Sequence, residues 1–371
     1  MQDTTVPNAK RLLWAGFTAI LAAGVGFALR NGMLGAWASE FRFTATQLGA
    51  ISGAGFSGFC FGIIFGGVIV DKLGYGKLVA LALVGHIVSA IVALGATDAT
   101  NAYAYLYWGA FIFAYANGTL EAVANPLVAT CFPKNRTHYL NILHASWPLG
   151  MIVGAGASYL IGAENMLGLS WRWQMAFYLV PTAIYAWMFL GQTFPKSEAA
   201  EKGANFAEMF KDVGLLGAAV ACYLVSLFLG DVTGHQNAGW AIGGLCLLAV
   251  GLITRFSFGS ILLFVLFVTH ALVGSVELGT DGWIENITGN LFSKVDGKIL
   301  FVWACVIMFS LRFSAHFIET KLKLSPLGIL LVSSLLAFVG LRLASDMDTF
   351  AAALLAVGIY AVGKTFFWPT M

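Results

Sequence analysis

The sequence predicts an all-α protein whose helices cross a lipid bilayer many times, and three observations carry that prediction. Of 371 residues, 59% are hydrophobic and only 10% charged, with a mean hydropathy of +0.83, outside the range of water-soluble domains. Apolar runs close to the roughly 20 residues that span a hydrocarbon core recur along the whole chain. The basic residues are also unevenly placed: with Met1 on the cytoplasmic side, twelve Lys and Arg from Lys10 to Lys323 fall in inner segments, against five from Arg42 to Arg342 in outer ones. Excess Lys and Arg in short inner loops is what orients a polytopic chain.

Twelve runs are predicted, near 12–36, 46–70, 77–97, 102–131, 139–163, 172–194, 213–230, 238–255, 260–284, 298–318, 325–343 and 349–371. The first continues into "FALRNGMLGAW" with no small-residue cleavage site behind it, so it reads as a retained helix, not a signal peptide. It carries Arg30 and Asn31. The second has Gly58, Gly62 and Gly66 four apart, the spacing of a close helix contact. In the fourth, Asn117, Glu121 and Asn125 are four apart and form one polar stripe that lipid cannot face. An ionised carboxylate there costs roughly 2.5 to 3.5 kcal/mol, and an acid that takes up a proton is cheaper to bury. The fifth sets Asn141 and His144 on one side, then Gly150, Gly154, Ser158 and Gly162 for packing.

Later runs carry their own charges. Glu277, Asp281 and Glu285 form an acidic stripe in the ninth, the latter two expected to be solvated; Arg312 and His316 in the tenth read as gate or interface residues, not ligands. Five scattered cysteines without a CxxC pair give no disulfide or metal framework. No HExxH, GxSxG or GxxxxGK occurs and no basic tract suggests nucleic acid, so no enzyme, cofactor or metal is expected.

A weak internal repeat organises the chain. "LGAW" ending at Trp37 matches "TDGW" ending at Trp283, "DKLGYGK" from Asp71 matches "ETKLK" from Glu319, and "EAVANP" ending at Pro126 matches "KTFFWP" ending at Pro369, at offsets of 246, 248 and 243 residues. Near-constant offsets are the mark of a transporter built from two related halves. They start the second half near residue 258. The expected domains are therefore 1–194, a six-helix half; 195–257, a polar linker with two additional transmembrane helices; and 258–371, the first four helices of the second half, with the remainder expected beyond Met371. By the same alignment Lys364 occupies the position of Glu121 and is expected to face the same cavity.

"GGVIVDKLGYGK" resembles the signature loop of the major facilitator superfamily, with Gly67, Asp71, Lys72 and Gly74 in place and Lys77 slightly late. Asp71 there is expected to accept bonds from a neighbouring helix N-terminus, as a gating latch. "GTLEAVANPLVATCFP" followed by "LNILHASWPLG" is similar to the fucose and glucose/galactose:proton symporter family of that superfamily, through Glu121, Asn125, Pro126 and Asn141. "VGSVELGTDGW", with Glu277 and Trp283, resembles that family's seventh helix.

The resemblance implies a monomeric helical bundle of two pseudo-symmetric halves in the inner or plasma membrane, N-terminus inside, taking up a sugar with a proton by alternating access. Its substrate and proton path would comprise Arg30, Asn31, Asn117, Glu121, Asn125, Asn141, His144, Glu277, Trp283 and Lys364. The first helix departs from the family, with Arg30-Asn31 in place of Asn-Asp. That leaves two roles open for Arg30, neutralising Glu121 or binding ligand. The second role resembles the superfamily's organophosphate and organic-anion carriers, an alternative in which an anion is held through Arg30 and Lys364. A non-transporting membrane sensor would keep the same fold.

Overall fold

The computed structural model describes residues 6–162, 166–201, 203, 206–315, 317, 321 and 325–370. His316 and most of the "ETKLK" turn lie outside the described residues. Among those described there is no strand, and twelve helices of 15 residues or more follow one another: α1 (Ala9–Phe41), α2 (Ala45–Leu73), α3 (Tyr75–Leu94), α4 (Ala102–Cys131), α5 (Arg136–Ile161), α6 (Trp171–Phe189), α7 (Phe206–Thr233), α8 (Gln236–Thr254), α9 (Ile261–Leu291), α10 (Lys294–Phe313), α11 (Pro326–Ala344) and α12 (Phe350–Lys364). Eight are long and apolar enough to cross a membrane by length and composition alone.

The chain divides into two compact units. One runs to Ser197 and resumes at Glu277. Within it α2 packs along α4, α1 along α5, α3 on α4, and α10 on both α5 and α12. Apolar side chains outside these contacts stay exposed, as on Leu81, Val84 and Ile91 of α3 and Leu331 and Leu335 of α11. Facing hydrocarbon, they incur no hydration cost. The core between α1 and α5 on one side and α10 and α12 on the other is built from Ala28, Met151, Ala155, Leu300, Phe301, Met308 and Val357.

Without a hydrophobic force between helices in lipid, close backbone approach through small residues does the packing. The sequence stripe on α2 does this: a Cβ on Gly58 would lie 2.2 Å from the Phe111 carbonyl oxygen of α4, and one on Gly62 2.2 Å from that of Tyr115. Gly118 of α4 returns the contact, 2.2 Å from the Phe59 oxygen. Gly150 and Gly154 serve α5 in the same way, against Leu21 and Val25 of α1. Gly162 differs from the expectation for its stripe, since it caps the end of α5.

At the other end of α2 the signature loop is a single residue. Gly74 is both the end of α2 and the start of α3, at φ 81° and ψ 158°, a region reserved for glycine. Lys72 and Lys77 are exposed. Asp71 accepts from the Ser197 hydroxyl at 2.5 Å, so a serine hydroxyl just past α6 meets it, not the N-terminus of a long helix. The opposite ends of α1 and α6 are tied by Glu40, which accepts from Trp171 Nε1 at 2.7 Å and pairs with Arg172 at 3.0 Å.

The second unit, Glu198–Val276, contains α7, α8 and the first half of α9. Gly214 breaks the helical path near the start of α7 at φ 57°. A Cβ there would meet the Gly259 nitrogen at 2.2 Å, and the Leu215 amide donates to the Ser257 carbonyl at 2.8 Å. α8 lies on α7 through Gly239 and Gly243, close to Ser226 and Gly230.

The glycines of α2 supply their own control. Gly62→Leu is expected to prevent assembly of α2 on α4 and lose the monodisperse detergent-solubilised protein. Gly67→Ala, where nothing lies within 4 Å of the added carbon, should leave yield and thermal stability unchanged. Equal behaviour of the two variants in size-exclusion and melting measurements would contradict the packing role.

Candidate functional site

Opposite charges placed among helices in lipid must find each other or water. In the second group of helices, α9 to α12, they find each other. Lys364 at the end of α12 is fully buried and pairs with Asp281 of α9. Arg312 of α10, 1% exposed, pairs with Glu277 of α9 at 3.0 Å. Two expectations are thereby corrected. Lys364 does not line the cavity that Glu121 faces, because Asp281 one turn beyond Glu277 claims its charge. Asp281 is not solvated, for the same reason.

Arg312 is held by more than its counterion. Its Nε donates to the Thr365 carbonyl at 2.7 Å and its Nη1 to the His144 carbonyl at 3.2 Å. Both acceptors stand four residues before a proline, Pro369 and Pro148. Proline has no N–H and so leaves the carbonyl of residue i−4 without its helical partner, and in a dry environment such a group needs another donor. One guanidinium serves both carbonyls and joins α5 to α9, α10 and the end of α12. The sequence signal was present: two prolines, each four residues after a residue of a membrane-spanning run.

In α1 to α6 the charges stay apart. Arg30 lies face-on to the Phe113 ring, 3.7 Å from its centroid, with Tyr178 at 5.3 Å, and donates through Nη1 to the Gly26 carbonyl at 3.2 Å. Gly26 also makes room for that ring, since a Cβ there would meet it at 2.4 Å. Among the described residues no carboxylate pairs with Arg30, and no cation pairs with Glu121. The possibility that Arg30 neutralises Glu121 directly is thus not realised. Glu121 instead accepts from Asn125 Nδ2 at 2.9 Å, one turn along α4.

Both unpaired charges line one cavity, which encloses about 1050 Å³ of space including its open mouth. Of the ten residues assigned to a substrate path, seven border it: Arg30, Asn31, Asn117, Glu121, His144, Glu277 and Trp283. Asn125 stands behind Glu121. Asn141 donates to the Thr137 carbonyl of its own helix at 3.0 Å, and neither borders the cavity. Arg312, expected to be a gate or interface residue and not a ligand, does border it, as do Trp37, Trp147 and Trp368. The repeat-related Trp37 and Trp283 therefore face the same space, which the sequence offset alone could not have established.

Behind Asn117 lies a buried chain that the sequence reading missed. His86 of α3 has Nε2 2.8 Å from Asn117 Oδ1 and Nδ1 2.9 Å from the Tyr185 hydroxyl of α6. It fixes the Asn117 amide at the cavity wall. His86 lies in an apolar stretch with no other polar residue at helical spacing apart from Ser89, so no periodic signal distinguished it.

The Lys364–Asp281 pair makes a structural prediction. Lys364→Met strands a buried carboxylate and is expected to cost about 3–5 kcal/mol, read as a lower melting temperature in detergent. Lys364→Met with Asp281→Leu should recover most of the loss. Failure of the double variant to recover would mean that the pair does more than neutralise itself.

Comparison with known proteins accords with this architecture. Residues 16–371 match the Major Facilitator Superfamily. The chain is 28% identical over 165 residues to the cis,cis-muconate transport protein of Acinetobacter baylyi (strain ATCC 33305 / BD413 / ADP1), a match spanning 44% of this chain and 37% of that protein. Among solved structures, the proton:xylose symporter XylE superposes with a TM-score of 0.67 at 14% identity, covering 98% of this chain and 80% of the other. FucP in its outward conformation gives 0.63 at 15% identity, covering 100% and 84%. The human organic anion transporter MFSD10 gives 0.62 at 15%, covering 98% and 85%. Identities this low speak for the fold, and the profile match over nearly the whole length speaks for descent: the chain belongs to the major facilitator superfamily.

Proposed function

We propose that this superfamily transporter takes up a sugar-type substrate together with a proton, by alternating access around the cavity of Glu121. The observation that carries the reading is the carboxyl of Glu121 itself, half-buried at the cavity wall with an amide partner and, among the described residues, no ion pair. Such a group is cheap to bury when it holds a proton and costly when it does not, which lets protonation and substrate occupancy influence one another. XylE and FucP, which share the fold, are described as sugar:proton symporters, and that supports the choice. An organic anion is the second reading, favoured by the unpaired Arg30 and by the muconate transport protein.

The reading comes with an orientation and a division of the chain. The protein sits in the inner or plasma membrane with its N-terminus cytoplasmic, as the distribution of Lys and Arg favours. Residues 195–257 are an insertion between two halves, 1–194 and 258–371. Asn31, Asn117, His144 and Trp283 contact substrate, and Asn125 acts through Glu121. The loop of Gly67, Asp71, Lys72, Gly74 and Lys77 serves as a latch.

Arg312 is assigned to the gate. Because it binds a carbonyl of α5 and groups of α9 and α12 at once, the two halves cannot separate on that side until it lets go. Glu277 gives the gate its contact with the cavity, since its Oε1 holds Arg312 while its Oε2 has no partner.

Two measurements in proteoliposomes test these roles. Glu121→Gln keeps size and hydrogen bonding but removes titration, so uptake driven by a pH gradient is expected to fail while exchange of substrate across the membrane survives. Unchanged gradient-driven uptake would sink the proton role. Arg312→Lys keeps the charge beside Glu277 but loses the planar fork that reaches three acceptors. Its uptake rate should fall about tenfold, with substrate binding held within about twofold. Lost binding at unchanged turnover would remove Arg312 from the gate.

A further inference from the structure

The cavity wall formed by α1 is made of donors without acceptors. Arg30 Nη2, Asn31 Nδ2 and Trp37 Nε1 are buried and have no hydrogen-bond partner, and all three residues border the cavity. Arg30 is 8% exposed, its charge balanced by no carboxylate among the described residues and supported only by aromatic faces and one carbonyl. Arg30 and Trp37 are seven residues apart on one helix, a span of about 10 Å, comparable to a six-carbon molecule. The carboxylates at the cavity come from other helices: Glu121 on α4, and Glu277 on α9 with its Oε2 unpartnered.

A buried polar group without a partner costs free energy, and an isolated buried charge costs far more. In an open cavity water screens Arg30. When the site closes around its cargo that water leaves, and the cargo must supply what water supplied. A neutral sugar can offer hydroxyl oxygens to Arg30, but it cannot offset the charge. A carboxylate does both, and its two oxygens match the guanidinium fork.

The remainder of the ligand meets the opposite chemistry. Glu277 Oε2 accepts, and Glu121 is acidic, so that side calls for donors. A second carboxylate there would find acids and an Arg312 whose charge is already paired with Glu277 and whose other bonds go to the Thr365 and His144 carbonyls. Lys364 gives no help, being held by Asp281. Dicarboxylates are disfavoured by like charge, and hydroxyl groups fit.

We propose that the substrate is a polyhydroxylated monocarboxylate, a sugar acid, with its carboxylate on Arg30 and Asn31, a hydroxyl oxygen at its far end accepting from the Trp37 indole N–H, and other hydroxyls donating to Glu277 and Glu121. This rests on the sugar-transport reading above and narrows it. Sugar and anion then describe two ends of one molecule.

Binding to the purified full chain in detergent tests the assignment, read by thermal shift and by tryptophan fluorescence, since Trp37, Trp147, Trp283 and Trp368 surround the cavity. The probes are D-glucuronate and D-galacturonate, the matched neutral sugars D-glucose and D-galactose, and adipate as a dicarboxylate without hydroxyls. At least one sugar acid is expected to bind about tenfold tighter than its neutral partner and than adipate. Arg30→Gln should abolish that preference, so that the sugar acid binds no tighter than its neutral partner. Arg30→Lys, which retains charge without the fork, should keep part of it. Neutral sugars binding as tightly as their acids would overturn the proposal and leave sugar transport standing. Adipate binding tightest would overturn it in favour of a plain organic anion. No response to any probe would bring down the proposal and the sugar reading together.

Discussion

Arg312 of α10 holds together polar groups of α5, α9 and the segment after α12. Two prolines, one in α5 and one just after α12, each free a carbonyl oxygen, at His144 and Thr365. A single guanidinium donates to both and keeps one nitrogen for Glu277. A lysine could not do this, because its donors radiate from one atom, whereas the arginine fork spreads them across a plane. The cost of burying the cation is offset by a counterion and two carbonyl dipoles together, which is the condition for a buried ion pair to be tolerated. The consequence is mechanical: beside the apolar contact of α5 with α10 and α12, hydrogen bonds fasten α5 to α9, α10 and the segment after α12.

The distribution of charge on either side of that joint is unequal. Glu277 with Arg312, and Asp281 with Lys364, neutralise one another within α9 to α12. Arg30 and Glu121, one positive and one negative, occur in α1 to α6 and are kept from each other by geometry. Arg30 lies against Phe113, and Glu121 is met by the amide of Asn125. Stability alone would bring them together. Keeping them apart leaves two strong interactions available to a ligand, and it is this separation, more than cavity size, that marks the site.

Glycine makes the separation possible. Gly26 admits the Phe113 ring on which Arg30 rests, and Gly58, Gly62 and Gly118 let α2 and α4 approach until backbone touches backbone, which aligns Asn117 and Glu121 along the cavity wall. Behind Asn117, His86 and Tyr185 complete a buried polar chain that holds the amide in one orientation. In lipid, where burial of apolar surface gives helices no reason to prefer one partner, these contacts specify which helices meet.

Composition and spacing determined the solvent, the helical class, nearly every membrane segment and the glycine seams of α2 and α5, because these depend on local quantities: hydropathy over a window and side chains on one face of a helix. The stripe of α4 and the odd presence of Arg30 were legible for the same reason, as polar residues where lipid tolerates few. Which charges pair was not legible. Lys364 aligned with Glu121 through the repeat, yet Asp281 takes it; Arg312 looked like a gate residue and proved to border the cavity as well. His86, alone in an apolar run, gave no sign of its partners. A pairing is settled by distances between helices far apart in sequence, and a repeat offset carries a position from one half to the other without carrying its neighbours. Tertiary structure alone decided that two acids and two bases cancel in one group of helices while Arg30 and Glu121 remain uncancelled, since neutralisation falls off steeply with separation and helix packing sets the separation.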